Sequence, residues 1–491
     1  FREDHQRQQH GNGMRRGYIT VFLSLSLTLI LSLVFTVIEG ARISAIRMKF
    51  ECVTDIGMNS VLAEYHRELL KQYDLLFVDT SYGGDRPEIA NTGAHLRRFA
   101  QNNCRPGERN SLFGGRDFLA MDVGMVEISE YSVASDDNGA VLKRQITDYM
   151  GDFPLGAVLD KISADISLLQ GSGIDTKDVG AWRQQYEAQI EAIGLPEKET
   201  EDGEKEKVPL NNPADLANAT RSSGVLNLVL ENPSAVSAVK ADLGEYISHR
   251  SGRMTGSGLC AEAVETGGAP NELVFQTYLF EKCGYYGAEM DKSLLKYQIE
   301  YILAGKNTDW QNLEQVAKRL LLWREAANMM YLLSDSAKMA EAQALALALT
   351  AVMLLPELAE PVKYTILFAW AYVESLQDVK TLLGGGRVPI LKSAADWKTG
   401  INSIRNVRGS LSEDSGGNGL NYKEYLQIMV FLQDAETRTE RAMDLIEMDI
   451  RRTPGNARFR LDGCFDTYLA HLEVTSRFGY SYEMTRRYGF Y

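Results

Sequence analysis

The sequence predicts a mainly helical α+β protein that is held in a membrane by one N-terminal helix. Residues 18–38 form an uncharged apolar run, and residues 271–456 consist largely of strong helix formers. The C-terminal residues 457–491 are rich in aromatic and β-branched residues with partial alternation, which predicts a β-hairpin or meander. A mixed α/β segment at 73–194 completes the predicted architecture.

The composition describes an acidic chain that is able to bury a core. Hydrophobic residues make up 45% and charged residues 24% of the 491 residues, which are ordinary globular values. The formal net charge is −14, from 66 acidic and 52 basic residues. An acidic surface without a dense basic patch repels a phosphate backbone, so we expect no nucleic-acid partner.

The apolar run Tyr18–Ile38 has the length of a membrane helix, since roughly 21 residues cross the hydrocarbon core. Glu39–Arg42 ends the run without the small-residue cleavage site of a secretory signal peptide. We therefore predict a retained single-pass anchor in the cell membrane. Residues 1–17 are interpreted as a leader or an over-extended N-terminus, with Met14 as the expected start.

Basic residues flank the anchor on both sides. Arg15 and Arg16 precede it, while Arg42, Arg47 and Lys49 follow it. The positive-inside rule is nearly balanced here, but a long downstream domain translocates largely regardless of its charge. We expect the N-terminus inside and the C-terminal domain outside.

Small and hydroxyl residues recur at every fourth position of the anchor. Residues four apart lie on one helix face and drift by about 40° per step. Such a stripe permits close helix–helix crossings in membranes, and equally it is tolerated because hydroxyls bond to their own helix backbone. Both interpretations stay open. The predicted contact face comprises Thr20, Ser24, Thr28, Ser32, Thr36, Gly40 and Ser44.

The N-terminal region resembles the TadE/TadG-like pseudopilins of tight-adherence (Flp-type) pilus systems. The likeness is carried by a basic leader Arg15–Gly17, then Ile19–Phe22 and the apolar helix, then Ile38–Arg42. Val53–Asp55 and Ser60–Ala63 continue it on the following helix. It covers about a tenth of the chain and implies that other pilus or assembly subunits are partners.

The resemblance also implies leader processing between Gly17 and Tyr18. Major pilins of this class carry a glutamate at the fifth mature residue, where this chain has Phe22. That glutamate helps subunits pack in the filament. The departure fits a minor component or an assembly factor better than a major pilin.

The remainder resembles an uncharacterised extracellular domain family that is joined to such anchors in Gram-positive anaerobic bacteria. The segments that carry this likeness are Asn328–Asp335 (NMMYLLSD), Leu367–Ser375 (LFAWAYVES) and Arg458–Cys464 (RFRLDGC). This family supplies a setting and no mechanism.

Beyond the anchor, we expect its helix to continue to Gln72 and a buried strand at Tyr73–Ser81. The apolar runs Ala344–Leu355 and Val362–Val373 are too short to cross a bilayer, so we predict buried core helices there. The predicted divisions are 1–17 leader, 18–38 membrane helix, 39–72 helix extension, 73–194 α/β segment, 195–270 charged linker and loops, 271–456 helical domain and 457–491 β segment.

No motif in the sequence predicts a catalytic, cofactor-binding or metal site. Ala304–Lys306 lacks the earlier glycine of a phosphate loop, and Asp414–Tyr425 has a tyrosine where a calcium loop needs a glutamate. The six histidines show no paired spacing. The five cysteines form no CxxC pair, and their disulfide pairing is left open.

Two functions of different classes remain. The first is a surface-exposed structural or assembly component of a tight-adherence-like pilus or secretion system, without catalysis. The alternative is a membrane-tethered enzyme that acts on a cell-envelope substrate. A concave pocket that holds carboxylates or a Cys–His pair would favour the enzyme. Any small-molecule ligand is unknown.

Overall fold

The fold combines one long helix, a small antiparallel sheet and a large helical body. The computed structural model describes residues 3–104, 119–199, 205–207, 210–259 and 269–490. The helices are α1 Glu3–Leu62, α2 Arg67–Tyr73, α3 Ile89–Cys104, α4 Asp136–Met150, α5 Gly156–Ser172, α6 Val179–Ile193, α7 Pro213–Thr220, α8 Val225–Val229, α9 Ala269–Lys282, α10 Gln298–Ala304, α11 Asp309–Ser334, α12 Ser336–Ala351, α13 Ala359–Leu383, α14 Val407–Ser410, α15 Tyr422–Phe431 and α16 Ala435–Arg451. The strands are β1 Val78–Asp79, β2 Met121–Val133, β3 Glu197–Glu199, β4 Lys205–Lys207, β5 Cys464–Ser476 and β6 Ser481–Gly489.

Helix α1 changes its surroundings half-way along its length. From Tyr18 to Ile38 its side chains make almost no contact with the rest of the chain. Beyond Ile46, one face is buried at three- and four-residue spacing, as the sequence predicts. Among the described residues, only the helix over Gly17–Leu62 is long and apolar enough to cross a membrane. One continuous helix therefore contains both the candidate membrane span and part of the folded domain.

The predicted continuation of this helix to Gln72 is wrong, because α1 ends at Leu62. A new helix, α2, begins after His66, whose Nδ1 accepts a hydrogen bond from the Leu69 amide at 3.1 Å. The His66 amide in turn donates to the Phe77 carbonyl at 2.8 Å. No proline or glycine marks this break, and histidine is an uncommon N-cap residue, so the sequence carries little signal for it.

The sheet is antiparallel throughout and is centred on β5. Strand β2 pairs along one edge of β5, while β6 and the short β1 pair along the other. The predicted C-terminal hairpin is therefore present, and it joins strands from the first third of the chain. The expected strand at Tyr73–Ser81 is reduced to Val78–Asp79.

The strand is shortened because a side chain takes the place of a neighbouring strand. The backbone of Leu76 bonds to the side-chain amide of Gln145 in place of a neighbouring strand, with Leu76 N to Oε1 at 2.8 Å and Nε2 to Leu76 O at 2.7 Å. A side chain thus satisfies the polar backbone groups that a strand would otherwise pair. Such a long-range contact has no signature in the local pattern.

One hydrophobic core lies between α1, α3 and the sheet. Phe50 and Val61 of α1 are fully or almost fully buried there, together with Leu96 of α3 and Tyr468 of β5. The helices approach closely at Gly57, where a Cβ atom would lie 3.2 Å from Leu96 Cδ1. This core joins the second half of α1 to the sheet.

A larger core fills the helical body around α13. Almost every residue of α13 from Thr365 to Val379 is buried, which confirms the predicted core helix at Val362–Val373. Helices α4 to α6 contribute to the same core through residues such as Ile146, Ile162 and Val179. The helical body therefore draws on both halves of the sequence.

The prediction of a buried helix at Ala344–Leu355 is wrong. Helix α12 ends at Ala351 and buries only the face of Ala342, Ala346 and Thr350 against the body. Val352 is 83% exposed. Alanine-rich apolar runs have no sharp polar face, so the sequence does not distinguish a one-sided helix from a central one.

The burial of α1 against the sheet is tested by Phe50→Ala. Phe50 is completely buried, and its ring meets Tyr482 edge-on with centroids 6.1 Å apart. We expect the free energy of unfolding to fall by about 3–5 kcal/mol, because the change leaves a cavity. Urea unfolding of the full chain in detergent, followed by circular dichroism, measures this loss.

Met48→Ala is the matched control, since Met48 lies two residues away and is 68% exposed. Its effect should stay within about 0.5 kcal/mol. Equal effects of the two changes would show that this part of α1 is not packed on the sheet.

Candidate functional site

The predicted contact face of α1 is fully exposed on this chain. All seven small residues from Thr20 to Ser44 are exposed. Thr28 Oγ1 donates to the Ser24 carbonyl at 2.8 Å, and Thr36 Oγ1 to the Ser32 carbonyl at 2.8 Å. The same pattern of a hydroxyl bonded three or four residues back holds for Thr20, Ser24 and Ser44.

These bonds show how the hydroxyls are tolerated in an apolar helix. A hydroxyl that donates to its own backbone needs no partner in the hydrocarbon. The stripe also leaves a shallow groove, lined by Thr28, Ser32, Thr36 and Gly40, with nothing within 4 Å of a Cβ placed on Gly40. The geometry is therefore compatible with both interpretations of the stripe.

The expected processing site lies inside the same helix. Gly17 and Tyr18 belong to α1 and are exposed, Tyr18 at 84%. The fifth residue after the Gly17–Tyr18 bond, Phe22, is also exposed.

Four almost fully buried charges form an ionic cluster in the helical body. Arg324 Nε donates to Asp378 Oδ2 at 2.9 Å, and Lys392 Nζ lies 2.6 Å from Asp378 Oδ1. Lys392 also pairs with Glu374, whose Oε2 accepts from the Thr399 amide at 2.8 Å. Two cations balance two anions, so the cluster is neutral and ties α11 and α13 to the segment around Lys392.

This cluster has the features of a structural element. All four side chains are at most 3% exposed, and Arg324 Nη1 is bonded to the Pro389 and Ile390 carbonyls. Its signal in the sequence is a pair of acids four residues apart, Glu374 and Asp378, that follow the apolar run of α13.

Removal of the Lys392 charge should lower the free energy of unfolding. Lys392→Met leaves Glu374 and Asp378 with a single counter-charge, and breaking a buried ion pair costs about 3–5 kcal/mol. Urea unfolding should show this loss, whereas Lys398→Met serves as the control because Lys398 pairs with Asp414 at a half-exposed position. An unchanged midpoint for Lys392→Met would contradict the structural role.

Ser248, His249 and Asp444 lie together but do not form a nucleophilic triad. The Ser248 hydroxyl donates to the Asp444 carboxylate and lies 2.7 Å from His249 Nδ1. Tyr301 OH donates to the same carboxylate at 2.7 Å. In a triad the histidine lies between serine and acid, so that it can take the serine proton. Here the serine lies in the middle and its proton points to the acid.

Glu300 is a buried carboxyl group with an unusual acidity. Burial raises its pKa to about 7, against hydrogen bonds from the Tyr286 amide at 3.0 Å and Tyr422 OH at 2.8 Å. Both of these bonds reach Oε1, while Oε2 has no hydrogen-bond partner among the described residues. A neutral carboxyl in a sealed site suits a structural role, since no substrate reaches it.

An open cleft of about 940 Å³ lies beside α6 and α7. Its lining includes the carboxylates Glu187, Glu191 and Asp215 together with Arg405. Burial, with a smaller contribution from Glu187, raises the pKa of Asp215. Glu187 is held by the Asn218 amide at 3.2 Å. These carboxylates are separated in sequence and the sequence analysis missed them.

Two segments that only partly match ligand-binding loops contain the ends of helices. Gly305 ends α10 with a φ of 63°, as expected of a helix stop. Asn421 caps α15, with its side chain bonded to the Glu424 amide at 2.9 Å. Across the described ranges, no group of three or more histidine, cysteine or acidic side chains is arranged for a metal. Cys52, Cys283 and Cys464 are free thiols, and Cys260 lies outside the described residues.

The fold defines a class of protein in which one helix is both a candidate membrane anchor and part of the core of a mainly helical domain. Residues 203–476, more than half of the chain, match a family of unknown function, DUF5702, and the chain belongs to this family. No curated protein and no solved structure matches the chain.

The acidity of Glu300 predicts a pH dependence of stability. The native state holds the Glu300 proton up to about pH 7, whereas the unfolded state releases it near the ordinary value of 4.5. Stability should therefore fall as the pH rises from about 4.5 to 7, by roughly 3 kcal/mol from this group.

Glu300→Gln should abolish this contribution. The variant should match the wild type near pH 4.5 and exceed its stability at pH 8, as measured by urea unfolding at both pH values. A variant that is less stable than the wild type at pH 8 would contradict a protonated Glu300.

Proposed function

We propose that the protein is a membrane-anchored structural or assembly component of a tight-adherence-like pilus or secretion system in the bacterial envelope. The anchor makes lateral contacts with other membrane helices, and the outer domain presents protein-binding surfaces outside the cell. The domain faces outward and the short N-terminus faces the cytoplasm.

The observation that carries this proposal is the continuity of α1. The same helix exposes an apolar half from Tyr18 to Ile38 and buries Phe50 and Val61 in the core of the domain. A contact made by the anchor in the bilayer is thereby connected to the sheet without a flexible linker. Subunits of a pilus or secretion machine need this connection, because the position of the anchor in the assembly then sets the position of the domain.

Two further features support the proposal. The stripe at every fourth residue leaves the anchor a narrow face for close helix crossings. The leader and helix around Gly17 and Phe22 resemble the tight-adherence pseudopilins, and the phenylalanine at the fifth position fits a minor or accessory subunit.

The test is a pull-down of the full chain from detergent-solubilised membranes of its own host. The variant Ser24→Leu/Thr28→Leu/Ser32→Leu fills the small face and keeps the helix apolar. We expect pilus-type membrane components to copurify with the wild type, and recovery from the variant to fall at least tenfold, because larger side chains hold the helices apart.

A control variant changes the opposite face of the anchor, with Leu23→Phe, Ile30→Phe and Leu33→Phe. These positions are exposed and lie off the stripe. The control should keep the partners of the wild type. Retention of every partner by the stripe variant, or the absence of pilus-type components from the wild type, would contradict the proposal.

The acidic cleft favours a second candidate, a membrane-tethered enzyme that acts on a cell-envelope substrate. Its volume lies in the range of ligand pockets, and the pKa of Asp215, at its edge, is raised from the ordinary value. If the protein is such an enzyme, Asp215→Asn should reproduce the envelope defect of a strain that lacks the protein, and should leave the copurifying partners unchanged. A normal envelope in the Asp215→Asn strain would count against the enzyme.

A further inference from the structure

The tip of the β5–β6 hairpin exposes an aromatic side chain. The turn runs from Ser476 to Ser481, with Gly479 at a φ of 81°. Phe478 lies at the tip and is 68% exposed. Arg477 beside it is exposed as well.

The hairpin tip lies against α1 close to the end of the apolar span. The guanidinium carbon of Arg42 is 3.9 Å from the centroid of the Phe478 ring. Arg47 Nε donates to Tyr480 OH at 2.6 Å. Further along, Tyr488 OH reaches Asp55 at 2.9 Å. Strand β6 therefore leads away from the membrane as α1 does, and its first residues are the nearest to the span.

The rise per residue of α1 gives the height of the hairpin tip above the end of the apolar run. Arg42 is four residues beyond Ile38, the last residue of the apolar run, which corresponds to about 6 Å along the axis. The headgroup layer on each side of the hydrocarbon core is roughly 5–8 Å thick. Phe478, in contact with Arg42, therefore lies at the height of the lipid headgroups.

The chemistry of the tip suits that layer. Aromatic rings gather at membrane–water interfaces, where the ring meets the apolar boundary and polar neighbours stay hydrated. Arg477 adds an exposed cation at the level of the lipid phosphates, on a chain whose net charge is −14. Arg42 also pairs with Glu39 at 2.7 Å, so its guanidinium is held beside the ring.

We propose that the tip of the β5–β6 hairpin, residues 477–480, is a second membrane contact that inserts Phe478 into the headgroup layer of the leaflet from which α1 emerges. Together with α1 it gives the domain two points of attachment to the bilayer. A single helix can rotate about its axis, whereas a second contact fixes which face of the domain lies towards the membrane. The inference depends on the anchor and not on any pilus partner.

Spin labelling of the full chain in phospholipid nanodiscs measures the depth of the tip directly. Cys52 is exposed and Cys260 lies outside the described residues, so both are changed to serine. Single cysteines are then introduced by Leu29→Cys, Phe478→Cys and Arg486→Cys and are labelled with a nitroxide. Any labelling of the three buried cysteines is measured on the background without an introduced cysteine, where it should be slight.

Leu29 is 72% exposed within the span and is the reference for the hydrocarbon. Arg486 is exposed on β6, about 17 Å along the strand from its first residue, Ser481, and is the reference for water. We expect the ratio of oxygen accessibility to accessibility to a water-soluble nickel complex at 478 to lie between the two references, severalfold above that at 486. A label at Arg477→Cys should report the same depth with the aromatic ring intact.

Equal ratios at 478 and 486 would overturn the proposal. So would a label at 478 that is shielded from both reagents, because a second copy or another protein would then cover the tip. A label at Leu29 that is accessible to the nickel complex would show that the apolar run lies in water. It would contradict the anchor and therefore both proposals. A label at Leu29 in the hydrocarbon together with a label at 478 in water would contradict only the proposed membrane contact of the hairpin.

Discussion

The packing of α1 against the sheet is the interaction on which the rest of the structure depends. Phe50, Val53 and Val61 fill the space between the helix, α3 and β5, so the anchor enters the folded domain as part of its core. The hydroxyl of Tyr468 donates to the Met58 carbonyl at 3.1 Å and adds a buried polar contact to this seam. Because β2 and the C-terminal hairpin come from opposite ends of the sequence, the sheet joins the two ends of the chain beside α1.

The helical body is held by buried polar groups as well as by its apolar core. The pair of acids on α13 is neutralised by Arg324 and Lys392, and Asp449 accepts from Tyr73 OH at 2.8 Å and from Gln298 Nε2 at 2.8 Å. Each of these groups joins elements that are distant in sequence. Removing one partner from such a network leaves the other buried and unpaired, so these contacts favour one arrangement of the helices.

The sequence alone predicted the parts of the fold that depend on local patterns. The uncharged run before Glu39, the periodic burial of Phe50 and Val61 and the C-terminal hairpin all follow from periodicity. Features set by distant residues were not predictable in this way. The Gln145 amide that replaces a strand partner, the His66 cap and the cleft beside Asp215 each need the folded chain. The stripe on α1 was visible in the sequence, and the structure shows it exposed.

The central claim is that anchor and domain form one rigid unit through α1. Hydrogen exchange of the full chain in nanodiscs tests it most directly, with peptides that cover residues 39–62. We predict that the amides of this segment are protected as strongly as those of β5, without a fast-exchanging break, because the helix is continuous and one face is buried from Ile46 onwards. Rapid exchange confined to residues 39–45 would reveal a hinge between membrane and domain, and would contradict the claim.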